Sequence, residues 1–219
     1  MEELLKEPSV VYKVLVGIPL KGHTPPASYH DRMLMWKYLG YREELDFWDK
    51  KPVRYSFSLG CVGEILVPFA RETLAQQAVN SGADYLFMID DDMLSPPNLF
   101  FELVKHNKDI ISPLAFTRNP DHKPVMYQVI EGHDPLTGKD YYLNTYVMNY
   151  PRNSLVECDA VGFGSALIKT DVLKRMTQPW FMSTTKSGED LWFCYKAKRE
   201  WSAKVFMDTS VKLGHVGLA

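Results

Sequence analysis

Apolar residues along this chain fall in short unbroken runs, and the runs alternate with stretches of helical spacing. "YKVLVGIPL" (12–20) is an apolar, β-branched run stopped by Pro19, the pattern of a strand buried on both faces, and the Pro-punctuated "KGHTPPASYHD" after it is a loop. A helix is predicted from about Tyr29 to Tyr41. "VRYSFSL" (53–59) alternates as a strand does, with Gly60 and Gly63 as its breakers. "VPFARETLAQQAVN" then spaces Phe69, Ala70, Leu74, Ala78 and Val79 on one helical face, with Pro68 in the first turn and Gly82 after the end. The strand "DYLFMID" (84–90) leads into "SPPNLFFELVKHN", a predicted helix with Ser95 as its cap, Pro96 at its first position and Leu99, Phe100, Leu103 and Val104 inward. "DIISPLAF" (109–116) is a further buried strand.

Strand–helix alternation through this half predicts an α/β fold, a Rossmann-like and mostly parallel sheet with helices on both faces. The second half is more mixed. "KPVMYQVI" and "YYLNTYVMNY" flank the turn "EGHDPLTGKD" as a hairpin, and strands follow at "LVECDAV" and "SALIK", separated by "GFG". Thr170 is expected to cap a short helix "DVLKRM", Ser187 a longer one at "GEDLWFCYKAKREW", and "KVFMD" is a last strand. With no repeat or linker between the halves, the expectation is one domain over 1–219 with two lobes, about 1–116 and about 117–219.

Composition narrows the classes. Of the 219 residues 46% are hydrophobic, enough for a filled core, so a disordered chain is excluded. A net charge of -2 lacks the basic footprint of a nucleic-acid-binding protein. Cys61, Cys158 and Cys194 lie far apart without C-x-x-C spacing and read as buried reduced thiols, which points to the cytosol. The N-terminus "MEELLKEPSV" has no apolar signal core, and no run approaches the ~18 apolar residues that span a bilayer; a peripheral membrane contact stays open.

The chemistry concentrates where "DYLFMI" runs into Asp90, Asp91 and Asp92. Three adjacent carboxylates at the end of a buried strand repel one another and are costly to bury unpaired. In an extended backbone Asp90 and Asp92 share a side and suit a hard divalent cation, whereas an acidic loop capping the next helix is the structural alternative.

At this point the sequence resembles the GT-A fold glycosyltransferases, particularly the family 2-like group whose strand ends in Asp-x-Asp. The resemblance rests on "VGIPL", "VPFARETLAQQAVNSGADYLFMIDDDM", "CDAVGFGSALIKTDVLKRM", "SGEDLWFCYKAK" and "LGHVG", in the family's order. It implies a GT-A fold, with the first half binding a nucleotide sugar and the second the acceptor. The implied reaction moves a sugar from a UDP- or GDP-sugar, UDP favoured, to a hydroxyl of a glycan, lipid or small molecule. Mn²⁺ or Mg²⁺ would bridge the donor's phosphates and stabilise the leaving group.

Residue by residue, the resemblance makes Asp92 a metal ligand, places Asp90 at the ribose or the metal, lets Asp91 contact either, and makes His215 the third protein ligand. Pro19 and the loop with Thr24 match the place of the base. Arg71 and Arg118 are candidates for donor phosphates, with Arg118 also fitting the acceptor; as alternatives both are surface charges. Gly162 and Gly164 would let backbone pass close to a sugar, or else mark a strand bulge. Glu189 and Asp190 match a Glu-Asp pair whose Asp is the base in inverting members, yet "SGED" also fits a capping box. Two rivals remain: a non-catalytic sugar-nucleotide or glycan-binding domain of this fold, and a nucleotidyltransferase. The latter usually carries a Gly-rich basic loop after the first strand, unlike "GIPLKGHTPP".

Overall fold

The computed structural model describes residues 10–22, 24–134, 139–184 and 187–216, with side chains at 131–142 left undescribed. Its first half runs β1 (Val10–Pro19), α1 (Pro26–Trp48), β2 (Val53–Val62), α2 (Val67–Asn80), β3 (Tyr85–Ile89), the short β4 (Met93–Leu94), α3 (Leu99–Val104) and β5 (Ile110–Leu114). The hairpin strands β6 (Met126–Asp134) and β7 (Lys139–Tyr146) follow, then β8 (Leu155–Cys158), β9 (Ala160–Val161) and β10 (Ser165–Lys169). α4 (Thr170–Arg175), α5 (Glu189–Trp201), β11 (Val205–Lys212) and β12 (Gly214–His215) complete the order.

Seven strands form one sheet in the order β2-β1-β3-β10-β5-β11-β8. β1 is parallel to β2 and β3, and β5 is parallel to β11. β10 enters antiparallel between β3 and β5, and β8 closes the far edge antiparallel, so the sheet is mostly parallel by strand direction. The alternation of side chains along β3 divides an all-apolar strand between two cores. Leu86 and Met88 join Ala75, Ala78 and Phe193 on the side of α2 and α5; Tyr85, Phe87 and Ile89 join Met35, Leu39 and Phe100 on the side of α1 and α3. A three-stranded sheet, β7-β6-β9, covers the second half, and β12 pairs with β4 to bring the C-terminal segment back to the end of β3.

Several local expectations change. β2 runs through Gly60 to Val62, and α2 packs close over Gly60, where a Cβ would stand 2.8 Å from the flexible end of Gln77 and 3.1 Å from Leu74 Cδ2. The buried face of α2 is Ala70, Arg71, Leu74, Ala75 and Ala78, and Phe69 is 61% exposed. Burial of Arg71 in place of Phe69 is explained by its carboxylate partners, described below. α3 begins at Leu99 rather than Pro96, and the Ser95 hydroxyl is buried without a partner instead of capping it. "LVECDAV" is two strands in two sheets, and Thr170 lies inside α4 with its hydroxyl donated to the Ala83 carbonyl. Cys61 is exposed, while Cys158 and Cys194 are buried, and all three are free. The predicted hairpin turn at 135–138 lies outside the described residues. No described helix is long and apolar enough to cross a membrane.

The backbone between β9 and β10 is a place where size is fixed. A Cβ on Gly162 would meet Val125 Cβ at 2.9 Å and Cγ2 at 3.0 Å, whereas on Gly164 it would meet the thioether end of Met93, with Cε at 2.9 Å. Valine is stiff and methionine yields. Gly162→Ala is therefore expected to destabilise by about 1–3 kcal/mol and Gly164→Ala by less, an order that urea denaturation of the two variants checks.

Candidate functional site

The turn after β3 resolves the crowding of its three carboxylates by sending each to a different partner. Asp90 Oδ1 accepts from Arg71 at 2.7 Å, Asp91 Oδ2 accepts from the Lys21 backbone N–H at 2.7 Å, and Asp92 Oδ2 pairs with Arg118. The backbone of the turn is held from α1. Ser28 Oγ donates to the Asp91 carbonyl at 2.8 Å, and Arg32 donates to the carbonyls of Asp90 at 3.2 Å and Asp91 at 2.9 Å. Ser28 and Arg32 escaped the sequence reading. Their signal is present, since both occupy the buried stripe Ser28, Arg32, Met35 and Leu39 of α1, where a charged residue needs a partner.

Arg71 is neither a surface charge nor free for a phosphate. It is 2% exposed, donates to Glu189 Oε1 at 2.7 Å as well as to Asp90, and reaches the Phe163 carbonyl at 3.0 Å while lying over the Phe163 ring. Burial works against its charge, but Asp90, Glu189 and Asp190 together hold its pKa above the ordinary value. One cation thus faces three carboxylates. The Asp190 carboxyl is raised above the usual range chiefly by burial, with Glu189 adding to it against the pull of Arg71. Asp190 accepts from Leu191 N–H at 2.8 Å and Phe163 N–H at 3.4 Å. The expected capping box is absent: α5 starts from Gly188 without a side-chain cap, and Ser187 bonds to Thr184.

His215 reaches the turn through the β4–β12 pair, where it stands opposite Met93, and Val216 N–H donates to the Asp92 carbonyl at 3.0 Å. Its Nδ1 lies 3.1 Å from the Phe116 carbonyl. A carbonyl only accepts, so Nδ1 carries the proton and Nε2 keeps its lone pair. Burial, then the neighbouring Arg118 charge, lowers the His215 pKa and keeps the ring neutral. Asp92 is 8% exposed, and its Oδ1 is buried with no hydrogen-bond donor. An orphaned carboxylate oxygen and a neutral imidazole with a fixed tautomer are a donor set that fits a divalent cation. Among the described residues, however, no three His, Cys, Asp or Glu side chains already converge as a metal-binding group. Asp90 is turned to Arg71 and Asp92 to Arg118.

The remaining candidates lie around this centre. Pro19 ends β1 opposite Val62, and Thr24 lines an apolar cavity of about 470 Å³ with Leu20, Arg32 and Cys61. The Asp91 carboxylate, 2% exposed, serves the loop after β1 through Lys21. Gly162 and Gly164 make room for Val125 and Met93, so their close approach is to the protein itself.

No family model and no curated protein matches this sequence. Among solved structures the fold is similar to that of A197 from STIV, with 17% identity, a TM-score of 0.56, and 94% of this chain and 86% of that one covered. It is similar also to GalNAc-T7, solved with UDP, GalNAc and Mn²⁺, with 14% identity and a TM-score of 0.54. That likeness covers 93% of this chain and 43% of the other, so this chain spans less than half of GalNAc-T7. UDP-glucose pyrophosphorylase follows at 10% identity and a TM-score of 0.48, too distant to carry an argument. The sheet order and the likeness to GalNAc-T7 define the fold, a mixed α/β fold of the GT-A type, as the sequence led us to expect.

Replacing Arg71 with methionine leaves its partly buried carboxylates without a cation. Arg71→Met is expected to cost about 3–5 kcal/mol at pH ~7. Arg71 stabilises only ionised partners, so its contribution is present above the carboxylate range and lost as pH falls through it, and the deficit should shrink towards pH ~4. Urea denaturation of both proteins at the two pH values checks the size and the direction.

Proposed function

We propose that this chain is a metal-dependent glycosyltransferase that moves a sugar from a nucleotide-sugar donor, a UDP-sugar in preference, to a hydroxyl acceptor. The observation that carries this reading is Arg71, which bonds the Asp90 turn to the Glu189–Asp190 start of α5 and so ties the donor-side carboxylates to a candidate base. The Mn²⁺ and UDP of the GalNAc-T7 structure, on a similar fold, support it.

In this proposal Asp92 and His215, with Asp90, would hold Mn²⁺ or Mg²⁺ and through it the donor phosphates. When bound, the cation supplies Lewis-acid stabilisation to the departing pyrophosphate. Arg118, exposed at the rim, releases Asp92 and turns to the phosphates. The loop from Pro19 to Thr24, fixed by Asp91 through Lys21, receives the base. Asp190 takes the proton of the acceptor hydroxyl, and its raised pKa makes it a stronger base than an ordinary aspartate. The donor then belongs to the lobe of about 1–116 and the acceptor to about 117–219, within a single domain.

Incubation with a panel of UDP-, GDP- and dTDP-sugars tests the reaction type. Metal-dependent release of the nucleoside diphosphate is expected, and release of pyrophosphate would instead mark a nucleotidyltransferase. Asp92→Ala is expected to abolish Mn²⁺-dependent donor binding, measured by calorimetry, with stability unchanged or raised because a buried unpaired oxygen is removed. Donor affinity that still responds to Mn²⁺ in this variant would defeat the metal assignment.

Asp190→Asn keeps an acceptor for Leu191 N–H but no base. Transfer should fall ~10²-fold or more. In the wild type the base is ionised only above its raised pKa, so transfer should rise with pH along a limb above the usual carboxylate range. That limb should vanish from the pH profile of the variant.

A further inference from the structure

A second cavity, of about 630 Å³, lies between α5 and the β6–β7 hairpin, with Trp192, Tyr195, Asn144, Asp159 and Lys198 in its wall. Its volume is within the ~300–1,000 Å³ usual for small-ligand sites. We infer that this cavity is a binding site for a neutral saccharide. Its assignment to the acceptor rests on the transferase reading, whereas saccharide binding itself does not.

The wall excludes other ligand classes. An anion would need a cluster of available positive charge, yet Lys198 is paired with Asp159, Lys196 with Glu200 and the Thr177 and Pro179 carbonyls, and the remaining cation, Arg199, is exposed to solvent, where a single charge contributes little. A purely apolar ligand would strip water from Asn144, Asp159 and Lys198 without replacing their hydrogen bonds. A pyranose meets both demands, since its C–H face packs on an aromatic ring and each hydroxyl both donates and accepts. Trp192 and Tyr195 supply the rings. The Tyr195 hydroxyl already pairs with the Asn144 side chain, and Asp159 accepts from Val129 N–H at 2.8 Å, so the polar groups are held in place before any ligand arrives.

The site also has a place relative to the proposed chemistry. Trp192 and Tyr195 lie on the first turns of the helix that opens with Glu189 and Asp190. A saccharide held here is positioned as the part of an acceptor remote from the reacting hydroxyl, where binding energy can serve orientation.

The test is calorimetric and saturation-transfer NMR titration, without donor, with neutral linear trisaccharides of glucose, mannose, galactose and N-acetylglucosamine, and with a sulfated trisaccharide and 1-octanol as contrasts. At least one neutral trisaccharide should bind. Trp192→Ala should weaken it ~10-fold or more, the order of one aromatic platform. Arg199→Ala, at an exposed position of the wall, should weaken it a few-fold with melting unchanged, and serves if the Trp192 variant folds poorly. Failure of every neutral trisaccharide, a preference for the sulfated sugar or the alcohol, or full binding by both variants would overturn the inference. Donor turnover is measured separately on the wild type: binding without turnover would leave the site standing and remove the transferase reading, and turnover without binding would do the reverse.

Discussion

One buried guanidinium sets the terms for the rest of this protein. Arg71 sits in α2 where an apolar residue would ordinarily pack, and a charge in that position persists only with partners of opposite sign. Its partners come from the turn after β3 and from the start of α5, segments far apart in sequence. The pairing joins the two halves of the fold through side chains, beside the strand pairing of β10 with β3 and β5. It also gathers more carboxylates than it can neutralise, and Asp190 among them is raised chiefly by burial, with Glu189 adding to the effect. Stability and proposed chemistry therefore pull on the same bond: the cation that makes the carboxylates tolerable also limits how basic they become.

The three aspartates show how a repulsive sequence is accommodated. α1 reaches across with Ser28 and Arg32 to hold the carbonyls of the turn, which frees the side chains to diverge. Asp90 looks into the core, Asp91 serves the loop after β1, and Asp92 keeps one oxygen unsatisfied. That last oxygen, together with the neutral His215 imidazole whose proton is pinned on Nδ1, leaves something for a cation to complete. The unmet oxygen is the kind of cost a fold tolerates at a functional site.

Much of this was legible in the sequence and some could not be. Apolar runs such as "YLFMI" announce buried strands because a parallel strand covered on both faces has no polar side to show. The insertion of β10 between β3 and β5 was not legible, since local pattern carries no strand order. The face of α2 was misread by one step: Phe69 attracted the apolar stripe, although Arg71, Leu74, Ala75 and Ala78 keep helical spacing just as well. Periodicity does not price a charge that finds two carboxylates. Ser28 and Arg32 show in the sequence only as polar members of an apolar stripe; the backbone carbonyls they bind have no residue signature, and the Phe116 carbonyl that orients His215 was hidden for that reason. The capping box at "SGED" failed because Ser187 is engaged by Thr184 and Asp190 by Phe163 and Leu191.

The central claim is that the end of β3 and the returning C-terminal segment form one cation site. Manganese is paramagnetic and broadens the NMR signals of the nuclei nearest to it. Titration of substoichiometric Mn²⁺ with UDP into protein labelled at its six histidines should erase the His215 imidazole signals first. Prior loss of any other histidine, or His215 signals that stay sharp while Mn²⁺ and UDP are bound, would contradict the account.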